Sequence, residues 1–338
     1  MTSLEETSAP EPEVRPRRLW VWPVTLALAA LFLYLALRKV DLREVWHIMA
    51  RGRMNWFLLA IGFSGCAYLL RAFRWRILLN THENLGYWPV FWANNAGYFG
   101  SNVLPARAGE LVRTAMIASR SRLSRTFVFT TAIAERVVDL IVLLLLGLVV
   151  VQLLGERPAW LLAASVPMGT AGIVGAVVVF FFSRFEPLLA KIVGALPVGE
   201  HIHGRLLGML GQIAAGMRAF ESRGRMARFF LLTVCIWGLD AFGAMAFARG
   251  LGLTMPLTVA LLLLVGLGMG SSLPSTPGYV GIFQLVAVTV LVPFHFSRAD
   301  AIAFILVAQA GSVLLTACLG LTGILYYRAT ASPTAKEG

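Results

Sequence analysis

Ionisable side chains inside apolar runs are the residues of this sequence best placed to do chemistry. Arg107, Glu110 and Arg113 recur every three residues after Pro105, which sets them along one side of a helix. Glu135 and Asp139 stand four apart in a second apolar run, and Arg136 points to a different face. Asp240 is alone in a third, and Ser275 and Thr276 follow Pro274. A charge at membrane depth costs at least about 2.5–3.5 kcal/mol on insertion scales, so these groups are expected to pair with one another or to serve a ligand. Arginine offers a bidentate fork to phosphate. Arg107 and Arg113 are therefore the candidates for a headgroup phosphate, and Glu110, Glu135, Arg136 and Asp139 complete the network, balancing the arginines or contacting a cationic headgroup. Ser275 and Thr276 supply neutral contacts to the same substrate. Glu135, Asp139 and Asp240 are candidates for proton coupling, and Asp240 is alternatively the partner of an arginine from the first half. The same network also has a structural reading, in which it only locks one helix to the next. Arg71, Arg74 and Arg76, beside Phe73 and Trp75, read as residues snorkelling to the cytoplasmic interface.

The elements that position these groups must lie in a membrane. Of the 338 residues, 58% are hydrophobic and only 14% charged, with mean hydropathy +0.76, which excludes a soluble globular chain. The formal net charge of +12 fits the anionic cytoplasmic leaflet and gives no reason to invoke nucleic acid. Cys66, Cys235 and Cys318 are scattered through apolar runs, too far apart for a Cys-x-x-Cys metal site, and read as lipid-phase filler away from oxidants. His201 and His203 are poorly spaced for a shared metal, so no metal site and no cofactor are expected. No Gly-x-x-x-x-Gly-Lys-Ser/Thr run is present, so no ATP site is expected.

The pattern predicts an all-α polytopic membrane protein with six full spans and two re-entrant broken-helix hairpins. The spans are Leu19 to Leu37, Trp56 to Leu70, Phe127 to Leu154, Leu161 to Phe182, Phe229 to Phe247 and Ala299 to Tyr326. Tyr87 to Leu104 and Pro256 to Leu273 are interrupted by Gly, Pro and polar residues, and these form the hairpins. Residues 1–18 read as a disordered cytoplasmic tail, 19–327 as a single transmembrane domain and 328–338 as a second cytoplasmic tail. Basic residues concentrate on one side of this layout and favour both termini inside. Leu42, Val45, Trp46 and Met49 fall at helical spacing in the charged loop 38–53, predicting a helix lying flat at the interface. Within 183–228, Leu206, Leu207, Leu210, Ile213, Met217 and Phe220 form a second such stripe.

The chain also repeats itself. The run from Gly100 to Gly109 aligns, with one gap, to the run from Gly270 to Gly278, and each is flanked by full spans. Repeat A covers about 54–154 and repeat B about 229–327. In the layout above the two copies have inverted topology, with hairpin breaks at Pro105 and Gly109 and at Pro274, Pro277 and Gly278. A break frees backbone polar groups that hydrocarbon cannot satisfy, so both breaks are expected at a polar cleft near the membrane centre.

Leu104-Pro105-Ala106-Arg107-Ala108-Gly109-Glu110-Leu111-Val112-Arg113, Glu135-Arg136-Val137-Val138-Asp139 and Ser271-Ser272-Leu273-Pro274-Ser275-Thr276-Pro277-Gly278 together resemble the lysylphosphatidylglycerol synthase transmembrane (flippase-like) family. Arg71-Ala72-Phe73-Arg74-Trp75 is also similar. The resemblance implies an integral protein of the bacterial inner membrane that translocates lipids. An aminoacyl-transfer domain is missing, so lipid aminoacylation is not expected of this chain and its substrate need not be an aminoacyl lipid. The expected function is a lipid translocator, not an enzyme, whose partners are anionic or zwitterionic phospholipids. The alternatives are an intramembrane transferase using Glu135 or Asp139 as general base, and a non-catalytic subunit of a lipid synthase.

Overall fold

The computed structural model describes residues 21–104, 108–154, 158–180, 182–195, 222–272 and 277–330, with 199, 203–204, 206–208, 210–211 and 214 in addition. Among them there are twelve α-helices and no strand. Five helices are long and apolar enough to cross a membrane. They are α3 (Met54–Leu79), α6 (Arg125–Leu153), α7 (Ala159–Phe180), α9 (Arg223–Gly250) and α12 (Arg298–Ala329). The sixth expected span is described from Val21, as α1 (Val21–Leu37). The tail 1–18 lies outside the described residues. So does 331–338, whereas Arg328 and Ala329, expected in the second tail, still belong to α12.

Local signals set the helix ends. Ser124 caps α6 by accepting from the Phe127 N–H at 3.1 Å. Ser297 and Asp300 form a reciprocal capping box at the start of α12. α3 runs nine residues beyond the expected end at Leu70, stopping at Asn80. Ile77, Leu78 and Leu79 resume the apolar pattern after Arg76, and Leu78 and Leu79 are buried. α2 (Leu42–Ala50) forms as its spacing predicts, with Val45 buried and Leu42 and Trp46 facing outward. α8 (Phe182–Gly194) opens the 183–228 segment, but Ile213, Met217 and Phe220 lie outside the described residues. Cys66, Cys235 and Cys318 lie on three of the long apolar helices. All three are free thiols on outward faces of α3, α9 and α12, where no protein covers them.

Two helix pairs interrupt the long spans. In the first, α4 (Tyr87–Val103) is followed by α5 (Gly109–Ala118), and in the second, α10 (Leu257–Ser272) by α11 (Ile282–Leu291). Leu104 is extended, at φ −90° and ψ 145°, as a residue before proline prefers. Within each pair the helices pack on one another. In the first, α5 approaches α4 at glycines: the Gly100 Cβ position would lie 3.0 Å from Gly109 Cα. Pro105, Arg107, Pro274, Ser275 and Thr276 lie outside the described residues.

The packing partners are reciprocal. α3 packs on α9. α4 packs on α12, and α10 packs on α6. Small residues allow the close crossings, with Gly320 and Gly323 of α12 set against the backbone of Asn95 and Trp92.

Gly281, which caps α11, has φ +90°, and a Cβ there would also meet the carbonyl oxygen of Ala29 in α1. Gly281→Ala is expected to cost about 1–3 kcal/mol. A fall in thermal midpoint in detergent, absent from Gly62→Ala where nothing lies within 4 Å, checks this.

Candidate functional site

The charges flagged by spacing meet where the two helix pairs face each other. Glu135 and Asp139, one turn apart on α6, both reach Arg74 of α3. The Arg74 guanidinium donates to Asp139 through Nη1 at 2.6 Å and Nη2 at 2.8 Å, and to Glu135 Oε1 through Nη2 at 2.9 Å. Its Nη1 also donates to the Thr233 hydroxyl of α9 at 3.0 Å. From the other side, Arg113 of α5 donates to Glu135 Oε2 at 3.0 Å and to Asn94 Oδ1 of α4 at 2.7 Å. Arg113 also pairs with Glu110, one turn back on α5, and Glu110 holds Arg136 through Oε1 at 2.8 Å.

Signs therefore alternate along one line, Asp139, Arg74, Glu135, Arg113, Glu110 and Arg136. A buried ion needs an opposite charge and further hydrogen bonds to offset several kcal/mol of desolvation, and this line supplies both. Beside it Arg71 of α3 pairs with Asp240 of α9. The network ties α3, α4, α5, α6 and α9 together. Aromatic faces cover the guanidiniums: Trp75 lies 4.4 Å from Arg113 and Phe229 4.9 Å from Arg74.

Burial divides the network. Arg113 and Glu135 are sealed, each 1% exposed, and Arg74, equally buried, reaches only the edge of open space. Arg136, with 37% of its side chain exposed, and Asp139, Glu110 and Arg71 border open space. That space is two chambers. One, of about 270 Å³, is bordered by Arg71, Arg74, Asp139, Trp237 and the Glu110–Arg136 pair. The other, of about 230 Å³, is lined by tyrosines, hydroxyls and amides, and Glu110 and Arg136 are its charged residues. Glu110, Arg136 and Ser271 border both. The second chamber touches each helix pair at its break, through Ser101 and Asn102 on one side and Gly278 and Tyr279 on the other.

Among the described residues three buried donors meet no partner: Trp237 Nε1, Arg113 Nη2 and Asn94 Nδ2. An unmet buried donor costs about 1–3 kcal/mol. The Trp237 donor belongs to a residue lining the charged chamber.

Glu110, Arg113, Glu135, Arg136 and Asp139 thus come together as their spacing implied, and Asp240 is the partner of a first-half arginine. Arg107, Ser275 and Thr276 lie outside the described residues. Arg113, a headgroup candidate, is occupied by protein groups and does not line either chamber. Sequence reasoning missed Arg71 and Arg74, which were read as interfacial. Arg76 alone fits that reading, donating to the Leu85 carbonyl at 2.6 Å near the helix end. The available signal was that Arg71 and Arg74 are three apart on one helical face, with apolar residues on both sides of them. Thr233→Val removes an acceptor from a buried guanidinium and is expected to cost about 1.5–3 kcal/mol, read as reduced thermal stability in detergent.

No group of three or more His, Cys, Asp or Glu with metal-binding geometry occurs among the described residues. The model of the family described as "Lysylphosphatidylglycerol synthase TM region" matches residues 22–320, most of the chain. A search of curated proteins returned no match. With its five long apolar helices, the protein is an integral membrane protein.

Proposed function

From the premise that this chain belongs to the lysylphosphatidylglycerol synthase transmembrane family, we propose that it is a lipid translocator. The headgroup passes through the two chambers while the acyl chains stay in the bilayer. The observation that carries this reading is a line of alternating buried charges that borders open polar space where the two helix breaks meet. Arg71 and Arg136 are the phosphate contacts, each half engaged by one carboxylate and bordering the charged chamber.

In this reading the two helix pairs are re-entrant hairpins entering from opposite sides, and repeats A and B are inverted copies. The reciprocal packing of α4 on α12 and α10 on α6 supports it, because a pseudo-two-fold axis generates each contact from the other. Both termini are cytoplasmic and the membrane is a bacterial inner membrane. Asp139 borders the cavity whereas Glu135 is sealed between two arginines, but Arg74 holds both as carboxylates, so neither is free to carry a proton. A general-base role for either is disfavoured because Arg74 occupies both.

Pure protein in liposomes with headgroup-labelled phospholipid tests the reading. Leaflet exchange without chemical change is expected, and Arg136→Ala should slow it at least about tenfold with little loss of stability, because this side chain is the least buried of the network. A new lipid product would make the chain a transferase. Neither exchange nor product would favour a subunit role beside a lipid synthase.

A further inference from the structure

The two chambers differ in chemistry, and the difference specifies a headgroup. The charged chamber offers guanidinium forks and the unpaired Trp237 Nε1–H, donors suited to a phosphodiester. Apart from the Glu110–Arg136 pair, the described lining of the second chamber is uncharged and offers Tyr68, Tyr98, Asn102, Tyr279, Gln309 and Thr316. Its amides are held in place. Asn102 donates to the Thr316 hydroxyl at 2.9 Å, and Gln309 accepts from Gln284 at 2.7 Å while donating to the Gly278 carbonyl. A primary amide can make about four hydrogen bonds, so each keeps capacity for a ligand. The aromatic walls are also ordered. Tyr279 stacks on Phe283 at 4.8 Å with planes 8° apart, and Tyr68 lies 5.3 Å from Tyr98. The negative faces of such rings attract the weakly positive C–H groups of a saturated ring.

Size narrows the class. A chamber of about 230 Å³ has room for a six-membered polyol ring and much more than a single hydroxyl or a bare phosphate needs. A cationic amine would find neutral groups and the already paired Glu110 there. We infer that the substrate is a phosphodiester lipid whose headgroup ends in an uncharged polyhydroxylated ring of inositol or hexose type. The phosphate sits in the charged chamber, the ring in the neutral one, and the Glu110–Arg136 pair lies at the junction. This inference rests on the lipid-translocator reading and adds the headgroup class to it.

Competitive lipid retention on the full chain, read by native mass spectrometry, tests it. Delipidated protein is offered equimolar phosphatidylinositol, phosphatidylglycerol, phosphatidylserine and phosphatidic acid. Phosphatidylinositol is expected to be retained at least about fivefold over phosphatidic acid and phosphatidylserine, with phosphatidylglycerol between. Asn102→Leu with Gln309→Leu should bring phosphatidylinositol down to the level of phosphatidic acid without lowering the latter. Tyr98→Phe, which keeps the ring and removes one hydroxyl, should narrow the preference without endangering the fold. Equal retention of all four by the wild type, or a preference for phosphatidic acid or phosphatidylserine, would overturn the headgroup class and leave translocation standing. Retention of none would overturn the translocator reading itself. Displacement of phosphatidylinositol by soluble inositol phosphate alone would contradict a lipid as the source of the ring.

Discussion

Arg74→Ala is expected to destabilise the protein by about 3–5 kcal/mol and to abolish lipid exchange. The guanidinium holds two carboxylates and a threonine hydroxyl from two other helices. Its removal leaves Asp139 without its arginine and Glu135 with only Arg113, inside a site where Glu135 is 1% exposed. Breaking a buried pair by removing one partner has that cost because the remaining charge cannot return to water. An interfacial arginine would cost no more than about 1 kcal/mol, the value of an exposed ion pair, so the size of the effect separates the two roles. Arg74→Lys keeps the charge but loses the fork and should recover only part of the stability. Thermal unfolding in detergent, alongside exchange in liposomes, reads both quantities. A variant as stable as wild type would show that the network does not hold the helices.

The second large effect is expected at Gly109, where α5 begins against α4. A Cβ there would overlap the carbonyl oxygen of Gly97 and both the amide nitrogen and hydroxyl of Ser101. Two of these atoms are backbone inside α4, so no side-chain rotation relieves the overlap. Gly109→Ala should separate the two helices, and Arg113 one turn on would lose its place between Asn94 and Glu135. The loss should exceed the about 1–3 kcal/mol of ordinary overpacking. Gly100→Ala, whose new atom lies 3.0 Å from Gly109 Cα, should fall between Gly109→Ala and the neutral Gly62→Ala. The order of their thermal midpoints is the check, and a Gly109→Ala protein at the wild-type midpoint would rule out this packing.

Much of the architecture was legible because hydrophobic length and helix-breaking residues are local properties. Leu104 before Pro105 ends its helix as that neighbour requires. Glu110 with Arg113, and Glu135 with Asp139, were legible because spacings of three and four put side chains on one helical face. Which distant groups they meet depends on packing between helices, and no local pattern encodes that. Arg74 was obscured for a specific reason: three arginines after an apolar run resemble a span end, and only the buried Leu78 and Leu79 beyond them show that α3 continues. Asn94, beside Asn95 in an aromatic and small-residue run, and Thr233, a single polar residue in apolar surroundings, carry no charge to mark them. The second chamber draws its uncharged polar groups chiefly from α3, α4, α12 and the turn at Tyr279, and its charged pair from α5 and α6, so only the assembled fold displays it.

The central claim is that a lipid headgroup enters the space between the two helix breaks. A photoreactive phenylalanine analogue at Tyr98, which lines that space, and another at Leu231, on the outward face of α9, test it in liposomes of headgroup-labelled phospholipid. After irradiation the attachment point is mapped by mass spectrometry. The account predicts a headgroup adduct at position 98 and an acyl-chain adduct at position 231. Adducts at position 231 with none at position 98, or acyl-chain adducts at both, would contradict it.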